Sequence, residues 1–526
     1  MTQQEIKNLE NDLWAAADTL RANSKLTAAE YKDPLLGLIL LRFAENRYED
    51  AKIEIEKSLP INPRTGKTRD ALKGDYTAAG AIMMPNEARY SYLADLPEGE
   101  DMAKAINSAM KLIEAEYPDL AGILPKNYQE FDEHLLRDLV RVFNSDSVRK
   151  ASGDVFGRIY EFFLMKFSMQ GAGAQEGGEF FTPPSLVNLI VNFIKPNHGI
   201  VHDPACGSGG MFVQTAHFIK NHENREVNKA ISVYGTELKS NNARLAKMNL
   251  AIHGIEGKIQ ESNSFYTNPF QLTGKCDFVM ANPPFNVDGV DAKNKFLTED
   301  ARLPFGAPLT GKGSIGNGNY LWIQYFYSYL NDTGRAGFVM ASSATDAGNA
   351  EKRIREELIK TGAVECIVAV GNNFFYTRSL PCHLWFFNKN KTGTHRDKIL
   401  MIDARNTYRK VSTTINDFSD EQMEGLTAIM TMFRGEKPNV KTDNAWFNEH
   451  FPDGSYQDVE GLCKVVSLEE VEEQDYSLTP GRYVGVQMDI DMDFDYQGRM
   501  QEIRSELAEL NTEAELLMNK IQMQEI

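Results

Sequence analysis

Long apolar runs are missing from this chain. The longest, Leu35 to Leu41, falls far short of the roughly 18 to 20 residues that cross a bilayer, so no membrane partner is expected. Cysteine is scarce: five residues in 526, at Cys206, Cys276, Cys366, Cys382 and Cys463. They form no CxxC pair and no Cys/His cluster, which argues against zinc. An odd number of widely spaced thiols, several in strand-like apolar runs, points to buried reduced side chains and a reducing cytoplasm. Internal repeats and low-complexity tracts are absent. Positive charge is in deficit, 56 Lys and Arg against 74 Asp and Glu, for a net charge of −18. A chain this acidic can work on nucleic acid only through a local basic groove or a basic partner. The opening MTQQEIKNLEND is polar and acidic, unlike a secretory signal.

What is present is ordinary globular composition, 42% apolar and 25% charged. The length suits about three or four structural units. Residues 1–150 read as a helical domain. Ile6, Leu9, Leu13, Ala16 and Leu20 fall close to helical spacing. Asp33-Pro34 resembles an N-cap followed by proline at the first helical position, so the spacing predicts a long helix from there to about residue 57. Residues 60–80, rich in Pro, Gly, Thr and Lys, read as a loop, and further helices are expected near 100–117 and 132–144.

Strands and helices alternate from about residue 198, the signature of a doubly wound α/β domain assigned here to 151–410. Strand-like runs fall at 199–203, 233–237, 258–262, 276–281, 336–341, 365–370 and 382–388, with one more at 399–403. Helix-like stretches lie near 209–221, 239–253, 319–331 and 350–361. Only about a dozen residues without helical pattern join 365–370 to 382–388, too few for a crossover helix, so that pair is expected to be antiparallel. Residues 411–495 read as irregular. From 496 to 526 a heptad (Met500, Ile503, Leu507, Leu510, Ala514, Leu517, Ile521) predicts a coiled-coil helix that meets a partner.

Two motifs carry chemistry. The first is GIVHDPACGSGGMF, a strand that turns into a helix through Gly207, Ser208, Gly209 and Gly210. Glycines there let the backbone bend and approach a ligand, and the helix start offers unpaired N–H groups. A dinucleotide fingerprint would need glycine at 212, where Phe212 stands. The next strand ends in Glu237, an acid suited to two ribose hydroxyls. A ribose without an obligatory pyrophosphate fits S-adenosylmethionine. Its ammonium suits Asp203 and its carboxylate suits the N–H groups of the turn. Asn263 and Ser264, after the third strand, are placed to meet the adenine ring. A near phosphate loop, Gly306 to Gly313, lacks the hydroxyl that magnesium needs, because position 313 is glycine.

The second motif is Asn282-Pro283-Pro284-Phe285, directly after the strand CDFVMA. Consecutive prolines fix the backbone and leave carbonyls without neighbouring N–H donors. The Asn282 oxygen and the Pro283 carbonyl can then share one planar amino group, with Phe285 stacked on its ring.

DPACGSGG followed by NPPF resembles the amino-group DNA methyltransferases, and NPPF resembles their adenine N6 branch. Gly178-Glu179-Phe180-Phe181-Thr182-Pro183-Pro184 precedes both, as the cofactor-closing segment does in the gamma arrangement. Trp14 to Arg21, Asn373 to Pro381 and Asp475 to Tyr483 extend the likeness to modification subunits of type I restriction–modification systems, over nearly the whole chain. The resemblance implies a Rossmann-like S-adenosylmethionine-dependent methyltransferase fold between a helical N-terminal domain and a helical tail. It implies that Glu179 to Pro184, Ser208 to Gly210 and Glu237 line the cofactor, and that Asn282 to Phe285 hold an adenine flipped out of duplex DNA. It further implies two such subunits per specificity subunit, with a restriction subunit joining for cleavage. The tail is the expected dock for the specificity subunit. The long glycine-bearing loop 286–317 is expected to order around DNA. Two rivals remain at this point: a protein glutamine N5-methyltransferase, which shares an NPP-aromatic motif, and a non-catalytic scaffold.

Overall fold

The computed structural model describes residues 3–59, 69–79, 81–117, 120–151, 153–170, 182–375 and 379–485, with scattered positions from 500 to 514. The chain divides into two units, 1–484 and 485–526.

The front of the first unit is helical, with main helices Gln3–Ala22, Ala28–Ser58, Met102–Glu116, Glu133–Val142 and Gly153–Gln170. The second helix starts earlier than Asp33-Pro34 suggests. Thr27 caps it, with its hydroxyl on the Glu30 N–H and the Glu30 carboxylate on the Thr27 N–H. Pro34 therefore lies inside the helix, at a cost of ~3 kcal/mol or more in an ordinary interior. Buried Leu35, Leu36, Leu38 and Ile39 offset it, and the Pro34 carbonyl accepts from the Tyr128 hydroxyl at 2.8 Å. Within the expected loop, Lys73–Ala78 forms a short helix, and 60–68 lie outside the described residues. The helical core runs on into Leu245, Met248 and Ile252 of the helix Ser240–Ile252, which joins it to the sheet.

The strands are β1 (Gly199–Asp203), β2 (Ile231–Glu237), β3 (Gly257–Glu261), β4 (Cys276–Ala281), β5 (Leu330–Ala341), β6 (Val364–Val370), β7 (Cys382–Asn388) and β8 (Lys398–Ala404). A small hairpin, β9 (Arg409–Lys410) with β10 (Asn416–Asp417), follows, and then β11 (Cys463–Ser467). One nine-stranded sheet has the order β11-β8-β6-β7-β5-β4-β1-β2-β3. β7 lies antiparallel between β5 and β6, as the short connection requires. Buried residues of β4 alternate between two cores, Phe278 and Met280 on one face and Val279 and Ala281 on the other, so the sheet is covered on both sides.

Residues 411–484 are not irregular. The helix Asp420–Phe433, begun by a Ser419/Gln422 capping box, packs on the sheet, and β11 pairs with β8. Arg434, just past that helix, reaches Glu365 of β6 at 2.6 Å and the Phe193 carbonyl at 2.6 Å. Their polar, loop-like composition hid this order, because it depends on partners distant in sequence.

The loop 286–317 is held by contacts within the chain. Fully buried Arg302 pairs with Asp300 at 2.7 Å, donates to the Tyr329 hydroxyl at 2.7 Å and lies 3.9 Å over the Tyr325 ring. Gly306 to Gly313 belong to this loop, in a tight turn where the Thr310 N–H meets the Ser314 carbonyl, with no helix to receive a phosphate. All five cysteines are buried. In the second unit, the described positions of 500–514 are helical, with Leu507 and Leu510 exposed. Ile503, Leu517 and Ile521 of the expected heptad lie outside the described residues. Among the described residues, no helix is long and apolar enough to cross a membrane.

Candidate functional site

Chain order along the sheet reverses between β1 and β4. A reversal of this kind leaves a crevice at the carboxyl ends of the strands. Both motifs sit there: Asp203 ends β1, and Asn282 follows β4.

Gly207 and Gly209 adopt left-handed φ values of 54° and 80°, which glycine enters at little cost. The three glycines differ in surroundings. A Cβ at Gly207 or Gly210 would meet no atom within 4 Å, whereas one at Gly209 would touch Ala246 at 3.5 Å. Gly209 thus allows close helix packing, and the other two leave room for a ligand. The turn is held from two sides. Glu237 accepts from the Gly207 N–H and from the Lys239 N–H, each at 2.9 Å. Asn249, buried in the next helix, donates to the Ser208 carbonyl at 3.0 Å.

Asp203 is buried and accepts from the Ala205 N–H at 2.9 Å. Burial raises its carboxyl well above the ordinary range, and the neighbouring Glu237 charge adds to the rise. Two carboxylates in one crevice, one of them poorly solvated, suit a ligand that brings an ammonium and hydroxyls. The open glycine turn and this donor set fit S-adenosylmethionine. His202, one residue earlier, is pushed down to about 4 by burial and stays neutral at neutral pH. Asn263 accepts from the Phe265 N–H at 3.0 Å and shapes the turn after β3. The Ser264 hydroxyl donates to the Pro204 carbonyl at 2.6 Å, which ties that turn to the first loop and leaves its oxygen free to accept.

The target side is built on Asn282. Its Nδ2 donates to the Thr182 hydroxyl at 3.0 Å. Its Oδ1 is buried and has no hydrogen-bond partner. An orphaned acceptor costs on the order of 1–3 kcal/mol unless a donor arrives. Pro283 is buried and Pro284 exposed, while Phe285 is half-buried, edge-on to Phe375 at 6.3 Å. Thr182 and Pro183 immediately precede the helix Pro184–Ile194, whose buried apolar face fixes them against the sheet. Glu179, Phe180 and Phe181 lie outside the described residues.

Several contributors escaped the sequence reading. Leu238, next to Glu237, is 60% exposed, an apolar face at the crevice. Asn249 has no local signal, since an asparagine inside a helix looks like surface. Asn286 and Asn319 form a reciprocal amide pair behind the tetrapeptide. The sequence marks Asn317 only as the end of the loop 286–317 and Asn319 only as the start of a helix-like stretch.

Comparison with known proteins agrees with this geometry. The model for N-6 DNA Methylase matches residues 151–491, and the HsdM N-terminal domain matches 9–143. The type I restriction enzyme MjaIX methylase subunit of Methanocaldococcus jannaschii is 36% identical over 97% of this chain and 90% of that protein. The HindI methylase subunit of Haemophilus influenzae is 33% identical over 81% of this chain and 95% of its own. A type I restriction–modification methyltransferase subunit from Streptococcus thermophilus shares the fold, with a TM-score of 0.71 at 19% identity, covering 91% of this chain and 99% of that one. A crevice at the sheet's reversal point, an Asn-Pro-Pro-Phe turn beside it and family matches along both halves of the chain lead to one conclusion: the protein belongs to the N-6 DNA methylases, as a type I restriction–modification methylase subunit.

Proposed function

We propose that the crevice binds S-adenosylmethionine through Asp203, the 207–210 turn and Glu237, and that Asn282 to Phe285 hold an adenine extruded from duplex DNA. The observation that supports this most is the buried, unpartnered Asn282 Oδ1, turned away from Thr182 by the bond its Nδ2 makes there. An adenine N6 amino group would donate one hydrogen to that oxygen and the other to the Pro283 carbonyl. Both bonds draw the nitrogen lone pair out of conjugation with the ring. Phe285 stacks on the base and holds its plane.

When bound, S-adenosylmethionine supplies a methyl group already activated by its sulfonium. The chain's part is alignment, worth several powers of ten in rate. A nitrogen–carbon bond forms, a sulfur–carbon bond breaks, and the amine proton passes to solvent. The flanking chemistry also fits a multi-subunit enzyme. The net charge of −18 leaves sequence reading to a more basic partner, which we assign to a specificity subunit shared by two copies of this chain, with a restriction subunit joining for cleavage. Exposed Leu507 and Leu510 on the helical tail support its role as a docking element. Work on host DNA under reducing conditions places the protein in the cytoplasm.

The test is to incubate the native complex with unmethylated duplex and labelled S-adenosylmethionine, then digest the DNA to nucleosides. Label in N6-methyladenine supports the reading. Label in N4-methylcytosine, or only in protein, overturns it.

A further inference from the structure

Immediately after the tetrapeptide the backbone enters the left-handed region, with Asn286 at φ 52°. Asparagine tolerates that region better than most residues. Here a second asparagine holds it. The Asn286 N–H donates to Asn319 Oδ1 at 2.9 Å, and Asn319 Nδ2 donates back to Asn286 Oδ1 at 2.8 Å. Asn319 is 3% exposed. Its own N–H meets Asn317 Oδ1 at 2.9 Å, and the neighbouring Gly318 N–H meets the Val287 carbonyl at 2.8 Å. It opens the helix Asn319–Tyr329, whose Tyr320, Leu321, Trp322 and Ile323 are all buried. The Tyr320 hydroxyl anchors that helix to the Ala344 carbonyl at 2.6 Å.

The tetrapeptide is therefore gripped at both ends. Thr182 holds Asn282 at the front, and Asn319 holds the turn one residue behind Phe285. A ring meant to stack on a base needs its plane fixed, and Phe285 is only half-buried, so its backbone must supply much of that constraint. The geometry assigns Asn319 as a positioning residue for the target base: it pins the Asn286 turn and so sets the attitude of Phe285. This rests on the proposed role of Asn282 to Phe285.

The exposed position of Asn286 allows a clean test in the native complex. Asn286→Gly loses the bond from Asn319 Nδ2 but keeps the backbone N–H bonded to Asn319 Oδ1 and enters the left-handed region freely, so it stays within a few-fold of wild type. Asn286→Val, β-branched, is driven out of that region. It and Asn319→Ala lower kcat by about 10²-fold, the scale of a small misplacement at a reacting centre. KM for DNA and cofactor affinity stay within a few-fold. The emission of 2-aminopurine placed at the target adenine shifts in both impaired variants and not in Asn286→Gly.

A wild-type kcat in both Asn319→Ala and Asn286→Val overturns the assignment. So does a loss in which KM for DNA rises in parallel and Asn286→Gly is equally impaired, because that marks a loop clamp. Asn282→Ala is run beside them. Full transfer by that variant would sink the reading of the tetrapeptide itself, whatever Asn319 does.

Discussion

Thr182 and Asn282 stand 100 residues apart in sequence and 3.0 Å apart in space, hydroxyl oxygen to amide nitrogen. The bond joins the segment before the sheet to the turn after β4. In this arrangement the amide nitrogen faces Thr182 and the buried Oδ1 is left for a base. An asparagine free to rotate would present nitrogen as readily as oxygen, and the nitrogen would repel an amino group.

Asp203 is expected to trade stability for binding. Its carboxyl is raised by burial, so as pH rises above the ordinary carboxylate range, where the unfolded chain ionises freely, this residue takes stability from the folded state. Asp203→Asn removes the ionisable group and keeps an oxygen for the Ala205 N–H. The ligand-free variant should melt higher at neutral pH and bind S-adenosylmethionine more weakly. Differential scanning calorimetry with titration calorimetry reads both. A variant that melts lower and binds as tightly contradicts the electrostatic account.

Glu365 and Arg434 form a buried pair at 2.6 Å between β6 and the end of the helix Asp420–Phe433. Burial alone would raise the Glu365 carboxyl. The Arg434 charge and hydrogen bonds, with those of Asn388 and Arg335, outweigh it and hold the carboxyl below its usual value. The pair's stabilisation is thus present above the ordinary glutamate pKa of about 4.3 and is lost as pH falls through the lower folded value. Glu365→Gln leaves Arg434 charged and buried, at about 3–5 kcal/mol. Urea unfolding at pH 7 measures this loss, which should shrink towards pH 3.

Three histidines set the acid limit, His202 and His383 buried and His253 half-buried. Burial pushes His202 and His383 down to about 4 and His253 to about 3. All three are neutral in the folded chain, while unfolded histidine takes up a proton near pH 6.5. The unfolded state therefore binds more protons below that pH, and stability falls from about pH 6.5 towards 4. A tenfold weaker hold on the proton in the folded chain corresponds to about 1.4 kcal/mol. Melting temperature against pH should drop across this window, and His202→Asn should flatten the drop. A profile level from pH 7 to 5 contradicts it.

Much of this was legible from the sequence, for a local reason. β1, β4 and β7 are short apolar runs closed by turn residues, and their limits are where the sequence places them. The glycine turn and Asn-Pro-Pro-Phe were visible because each is contiguous. What escaped depends on distant partners. Pro34 looks like a helix start until Thr27 is seen to cap the helix earlier. β11 is a strand because β8 offers it an edge. Asn319 and Asn249 act through single side-chain bonds to remote loops, and nothing in their neighbours announces them.

The most direct measurement is single-turnover methyl transfer to adenine N6 by the native complex, comparing wild type with Thr182→Val, Thr182→Ser and Asn282→Ala. Valine keeps the shape and removes the oxygen that accepts from Asn282 Nδ2; serine keeps that oxygen. The account predicts near-normal transfer with serine, a loss of about tenfold to a hundredfold with valine, and essentially none with Asn282→Ala. Wild-type rates in Thr182→Val and Asn282→Ala would contradict it.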